Sequence, residues 1–201
     1  MMEGCTLFGE HRRVFNRIRD TLQCSIEHRK EFEKALERLI RSYDTRNHEN
    51  RFVVGGALEV LFCALLRALG FECVWLRERR FDLRIDGYDF SIKSNFTGRG
   101  SIRLINVMGD GEVKWEEPTV FFVGERGVFY ADPCMGIRVE RKSDALTVKV
   151  EDILKACEDW RIDIRVPVKQ GKSTHIRTAS YDVAKSILEQ IGSTLLKGHL
   201  P

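Results

Sequence analysis

Three polar residues, Asp82, Ser91 and Lys93, stand at spacings that could serve a reaction. They lie in "FDLRIDGYDFSIKS", residues 81 to 94, where two arms of alternating polar and apolar residues flank Asp86-Gly87. Alternation is the period of a half-buried strand, and Asp-Gly favours a two-residue type I′ turn because glycine takes positive φ at little cost. With that turn, Ile85 faces Tyr88, Arg84 faces Asp89, Leu83 faces Phe90 and Asp82 faces Ser91. Arg84 and Asp89 are then close enough for a cross-strand ion pair. Asp82 faces only a serine, with Lys93 further along the same face, and a carboxylate left beside an ammonium calls for a ligand or a reaction to explain it. A second carboxylate, Glu59, sits at the margin of the apolar stripe formed by residues 58, 61, 62, 65, 66 and 69 of "GGALEVLFCALLRALG". Helical spacing projects it beside Leu66 and Phe62, toward whatever the helix packs on. The plainer readings are a boundary glutamate whose head reaches water and an ordinary Asp-Lys surface pair.

The elements that must hold these residues follow from the pattern. At 201 residues the chain can bury about 70% of its unfolded surface. Residues 1–50 form an N-terminal helical region, with one stripe at Val14, Phe15, Ile18, Leu22 and Ile26 and a clearer one at Phe32, Ala35, Leu36, Leu39, Ile40 and Tyr43. Arg12, Arg13, Arg17 and Arg19 on the first could lie on a phosphate backbone or form a solvated face. The polar stretch "DTRNHENR" reads as a linker or lid. From residue 51 to 201 a second unit begins with the Glu59 helix, closed by Gly70, followed by the strand "FECVWL" and the hairpin. "SIRLINVM" has Ile102, Ile105 and Met108 at helical spacing and predicts a short helix. "TVFFV", "GVFYA", "ALTVKV" and "RIDIRVPV" predict strands, and "SYDVAKSILEQIG" a terminal helix with Ser180 as N-cap.

Lys and Arg number 33 against 30 acids, net +3, a balance that permits nucleic-acid binding without demanding it. Six cysteines without C-x-x-C spacing read as reduced thiols of an intracellular protein. No apolar run approaches 18 residues and the N-terminus lacks a signal-peptide pattern. The expectation is a cytoplasmic protein that does not engage membranes.

The order helix with an inward Glu, strand, strand beginning with Asp, hairpin strand ending in x-x-Lys, helix and strand resembles the PD-(D/E)xK nuclease superfamily, over residues 52 to 123. Among its members the nearest in character is a type II restriction endonuclease. The resemblance implies an α/β fold, a mixed central sheet flanked by helices with an αβββαβ core. Asp82 matches the family's first acid, although Phe81 stands where proline is usual, and Lys93 in "SIK" matches its lysine. Ser91 occupies the place of the second acid. Two carboxylates are normally needed to hold Mg2+ through oxygen ligands, and some members recruit the missing one from a helix. No acid occurs between Lys93 and Asp110, which leaves Glu59 as the first candidate and Glu49, Asp89 and Glu112 as others. Asp89 is discounted because Arg84 neutralises it.

The implied activity is Mg2+-dependent hydrolysis of DNA phosphodiester bonds, with Asp82, Glu59 and the main-chain carbonyl of Ile92 as metal ligands and Lys93 acting on the attacking water. Arg77, Arg79, Arg80, Thr97 and Arg99 flank the site as candidate phosphate contacts. The loop with Lys169, Gln170, Lys172, His175 and Arg177 carries donors and an amide suited to base edges, or is a solvated turn. A chain this short that cuts both strands of double-stranded DNA at a defined site would act as a homodimer. Two other functions stay open: a structure-specific repair or junction-resolving nuclease, and a catalytically silent DNA-binding module in which Ser91 marks a lost site.

Overall fold

The computed structural model describes residues 6–43, 48–77, 80–107, 113–142, 144–169 and 178–201, excluding the side chains of His48 and Glu49. Two amphipathic helices open it, α1 (Gly9–Cys24) and α2 (Ile26–Ser42). They turn their stripes inward, burying Val14, Phe15, Ile18 and Leu22 from the first and Phe32, Ala35, Leu36, Leu39 and Ile40 from the second. Ile26, expected on the first stripe, instead begins α2 and is 47% exposed, because the chain breaks at Ser25.

The third helix, α3 (His48–Ala68), starts within the stretch expected to be a linker. It buries Ala57, Leu58, Val60, Leu61, Phe62, Cys63, Ala64, Leu65 and Leu66. A helix apolar on nearly every side must be enclosed. Here α2 and the C-terminal helix α5 (Ser180–Gln190) pack on it from outside, and Phe62 meets Phe122 of the sheet edge-on at 5.2 Å. One buried cluster runs through α1, α2, α3, α5 and the sheet. α5 begins at Ser180 with Ala179 at the cap position and no side-chain cap, so the expected Ser180 cap is not formed. That serine lies instead against Gly56 of α3, so close that a Cβ on Gly56 would come within 2.5 Å of its hydroxyl.

The main sheet has six strands in the order β1 (Cys73–Trp75), β2 (Leu83–Ile85), β3 (Tyr88–Asn95), β5 (Thr119–Val123), β6 (Gly127–Ala131) and β9 (Arg161–Ile162). β3 and β5 run parallel and the other pairs antiparallel, so the molecule is a mixed α/β fold with a mixed sheet. The expected helix at "SIRLINVM" is a strand, β4 (Ser101–Asn106). It pairs with β8 (Ala145–Lys149), which pairs with β7 (Val139–Lys142), in a separate three-stranded sheet. A bulge between Arg103 and Ile105 breaks the alternation of β4, which is why Ile102 and Ile105 fall at helical spacing. Ile102, Leu104, Leu146 and Val148 of this sheet cover Phe121, Val123, Phe129 and Ala131 of the main sheet. Among the described residues the crossover between the parallel strands therefore holds a strand, where the αβββαβ order has a helix. A short helix, α4 (Val150–Ala156), follows β8. Of "RIDIRVPV" only the first two residues join the ladder; beyond them Glu125 N–H donates to Val166 O at 2.9 Å and Lys169 N–H to Phe96 O at 2.8 Å.

Candidate active site

Asp86 (φ 49°) and Gly87 (φ 87°) make the tight turn between β2 and β3. The register Leu83 to Phe90, Arg84 to Asp89 and Ile85 to Tyr88 is the one the sequence predicts. Arg84 grips Asp89 through two bonds of 2.7 and 3.1 Å, which removes that carboxylate from consideration as a ligand.

Past Phe90 the two strands part. Asp82 N–H donates to Phe90 O at 3.0 Å, and the next donor on that edge of β3, Ile92 N–H, goes to the Asp82 side chain at 2.6 Å. Asp82 Oδ2 also accepts from Ser91 Oγ at 3.1 Å and from Lys93 Nζ at 3.4 Å. Lys93 Nζ donates in turn to Ser91 Oγ at 2.7 Å and to Ile92 O at 3.2 Å. Ser91 is 3% exposed, whereas the side chains of Asp82 and Lys93 keep 21% and 26%. Parallel pairing sets Lys93 opposite Phe121, in the cluster beneath the small sheet, and Ile92 opposite Val120, in the main core. The notch thus opens at the edge of β3, with Ser91 and Lys93 on the small-sheet side.

Glu59 reaches this notch from α3. Trp75 Nε1–H donates to its Oε2 at 2.9 Å. Burial and the neighbouring charge of Asp82 push the Glu59 carboxyl up to about 7, against the pull of the Trp75 hydrogen bond and Lys93. Hydrogen bonds therefore join Asp82, Ser91, Ile92 and Lys93, and Glu59, bonded to Trp75, lies near enough to feel the charges of Asp82 and Lys93. Trp75 is the member that sequence reading missed. The sequence places it on an alternating strand, and nothing in the sequence couples it to a glutamate on another element.

The flanking cations fare differently. Arg77 lies over the Trp75 ring at 4.9 Å. Arg80 binds Glu116 at 2.8 Å and Glu117 at 3.0 Å, so this candidate phosphate contact is occupied inside the molecule. Thr97 closes the turn after β3 through Asn95 Oδ1 and Arg99 O, while Arg99 is exposed. Lys169 is tied by its main chain to Phe96. Arg79, Gln170, Lys172, His175 and Arg177 lie outside the described residues, as do Glu112 and the Glu49 side chain. The arginines of α1 bind within the protein: Arg12 to Asp132, Arg13 to Glu10, Arg17 to Asp86 and Arg19 to Asp20. Cys24, Cys63, Cys73 and Cys157 are free thiols, but Cys134 is disulfide-bonded, against the expectation of reduced cysteines throughout.

Among the described residues no group of three or more His, Cys, Asp and Glu side chains is arranged for a metal ion. The notch offers a smaller set, two carboxylates and the Ile92 carbonyl. These are hard oxygen donors of the kind Mg2+ accepts, and a cation would offset the burial and the neighbouring Asp82 charge that raise Glu59. Among the described residues no helix is long and apolar enough to cross a membrane. Comparison with known protein families, curated proteins and solved structures finds no match.

Proposed function

We propose that this chain is a Mg2+-dependent nuclease that hydrolyses DNA phosphodiester bonds at the notch between β2 and β3. The observation that carries the reading is the Asp82–Lys93 contact where the strands part, with the half-buried Glu59 of α3 within reach of both charges. Asp82, Glu59 and Ile92 O would hold the ion. When bound, it supplies charge neutralisation at a phosphoryl oxygen and a water acidic enough to ionise near neutral pH. The chain's own residues do the rest. Asp82 and Ser91 keep the Lys93 ammonium in the notch, where it orients the attacking water and meets the negative charge that grows on the phosphate in the transition state. Ser91 donates to Asp82 while accepting from Lys93, so it joins the two charges where an acid would add a third. Glu59, its proton released to solvent, would be the second oxygen ligand.

Within this class we favour a site-specific endonuclease on double-stranded DNA, working as a homodimer because two strands need two notches. Its support is the placement of Lys169, where the basic C-terminal segment begins, against Phe96 just beyond Lys93. The test is incubation of the purified protein with supercoiled and phage-length DNA, in Mg2+ or EDTA. Discrete Mg2+-dependent fragments, lost by about a hundredfold or more in Lys93→Ala, are expected. Smears or branch-dependent cuts would make it a structure-specific nuclease, and binding without cleavage under any divalent ion would sink the catalytic reading.

A further inference from the structure

We infer that Trp75 is a positioning residue, whose indole N–H fixes the orientation in which Glu59 meets a divalent cation beside Asp82. The inference rests on the metal-ligand set proposed above and adds to it the group that aims one of its members. An indole nitrogen is a donor only, and when buried it needs an acceptor. Trp75 spends that donor on Glu59 Oε2, at 2.9 Å, which leaves Oε1 outside this bond. A donor on one oxygen of a ligating carboxylate is the usual way in which surrounding groups fix a ligand.

Strand β1 acts on both carboxylates. Trp75 pairs with Leu83, and the next residue, Leu76, donates its N–H to Asp82 O at 2.9 Å. The same short strand therefore ties the Asp82 main chain and the Glu59 side chain, the first by its backbone and the second by its indole. The indole is itself held. Tyr181 of α5 stacks on it with centroids 6.5 Å apart and planes 24° apart, and Arg77 lies 4.9 Å from the ring centre. Ser180, beside Tyr181, packs on Gly56, one helical turn before Glu59. The start of α5 thus clamps the glutamate's helix and the tryptophan's ring together.

The experiment measures Mn2+ binding to the full chain without DNA, from the paramagnetic signal of the free ion. Trp75→Phe keeps an aromatic ring, though a smaller one, and removes the donor, and is expected to weaken Mn2+ about ten- to hundredfold. Glu59→Gln should weaken it at least as much, and Trp75→Phe should cause no further loss in the Glu59→Gln background. Tyr181→Ala, which leaves the indole N–H in place, should cause a smaller loss and covers the case in which Trp75→Phe folds poorly. Unchanged affinity in Trp75→Phe beside a clear loss in Glu59→Gln would overturn the inference alone. An equal loss from Trp75→Phe in both backgrounds would also overturn it, since that is the mark of a general packing role. No effect from any variant would overturn the ligand set as well.

Discussion

Replacing Glu59 with glutamine keeps an oxygen for the Trp75 N–H and removes the charge. In the folded protein the Glu59 carboxyl is displaced from 4.5 to about 7, by burial first and by the charge of Asp82 second. A carboxyl raised on folding binds its proton more tightly in the native state than in the unfolded chain. Below pH 4.5 both states are protonated and nothing is lost. As pH rises through the interval to about 7 the unfolded chain releases the proton first, and native stability falls. At about 1.4 kcal/mol per pH unit the full interval amounts to about 3 kcal/mol. Glu59→Gln should therefore gain about 3 kcal/mol over the parent at pH 8 in EDTA, and nothing near pH 4. For a chain of this size that is a rise of about 6 to 12 °C in Tm. Thermal and urea denaturation at the two pH values measure it. Mg2+ should stabilise the parent at pH 8 and leave the variant unmoved. A variant no more stable than the parent at pH 8, or equally favoured at both pH values, would refute the burial of the Glu59 charge from which the gain is worked.

Two stability predictions follow from close contacts elsewhere. Gly56→Ala sets a methyl 2.5 Å from Ser180 Oγ and 2.8 Å from its Cβ, so α3 and α5 must separate; the expected cost is about 1 to 3 kcal/mol by urea denaturation, with recovery on adding Ser180→Gly. Asp132 is fully buried and is held by Arg12 through two bonds of 2.8 Å, with Tyr130 OH donating at 2.9 Å. Arg12→Ala strands that charge and should cost about 3 to 5 kcal/mol. Adding Asp132→Asn should return part of the loss, and a neutral Arg12→Ala would show that the pair contributes nothing.

The hairpin was legible because its information is local. Asp86-Gly87 specifies the turn, and alternation on both sides specifies which residues face each other, so the register and the Arg84–Asp89 pair follow without tertiary knowledge. The buried stripes of α2 and α3 were legible for the same reason. β4 was not, because one bulge moved Ile105 from strand to helix spacing. β7 reads Val-Glu-Arg-Lys, and an edge strand that is mostly charged carries no apolar alternation to detect. The arginines misled for a different reason. Arg12 meets Asp132 and Arg80 meets Glu116 and Glu117, and partners so distant in the chain leave no periodic trace. At the site, Asp82, Ser91 and Lys93 could be grouped by register alone, whereas Glu59 needed the family resemblance to be chosen and Trp75 could not be chosen at all.

The strand that takes the place of a crossover helix also bears on how the chain is made. A helix in that position could form from its own residues as it left the ribosome. Among the described residues β4 pairs only with β8, and its partners run from Asn106 with Ala145 to Ser101 with Lys149, so roughly forty residues must be added before the first pair can close. At about 5 to 20 residues per second that is a wait of several seconds, during which Ile102 and Leu104 have no sheet to enter. The side of the notch that carries Lys93 is therefore finished only when residue 149 has been made.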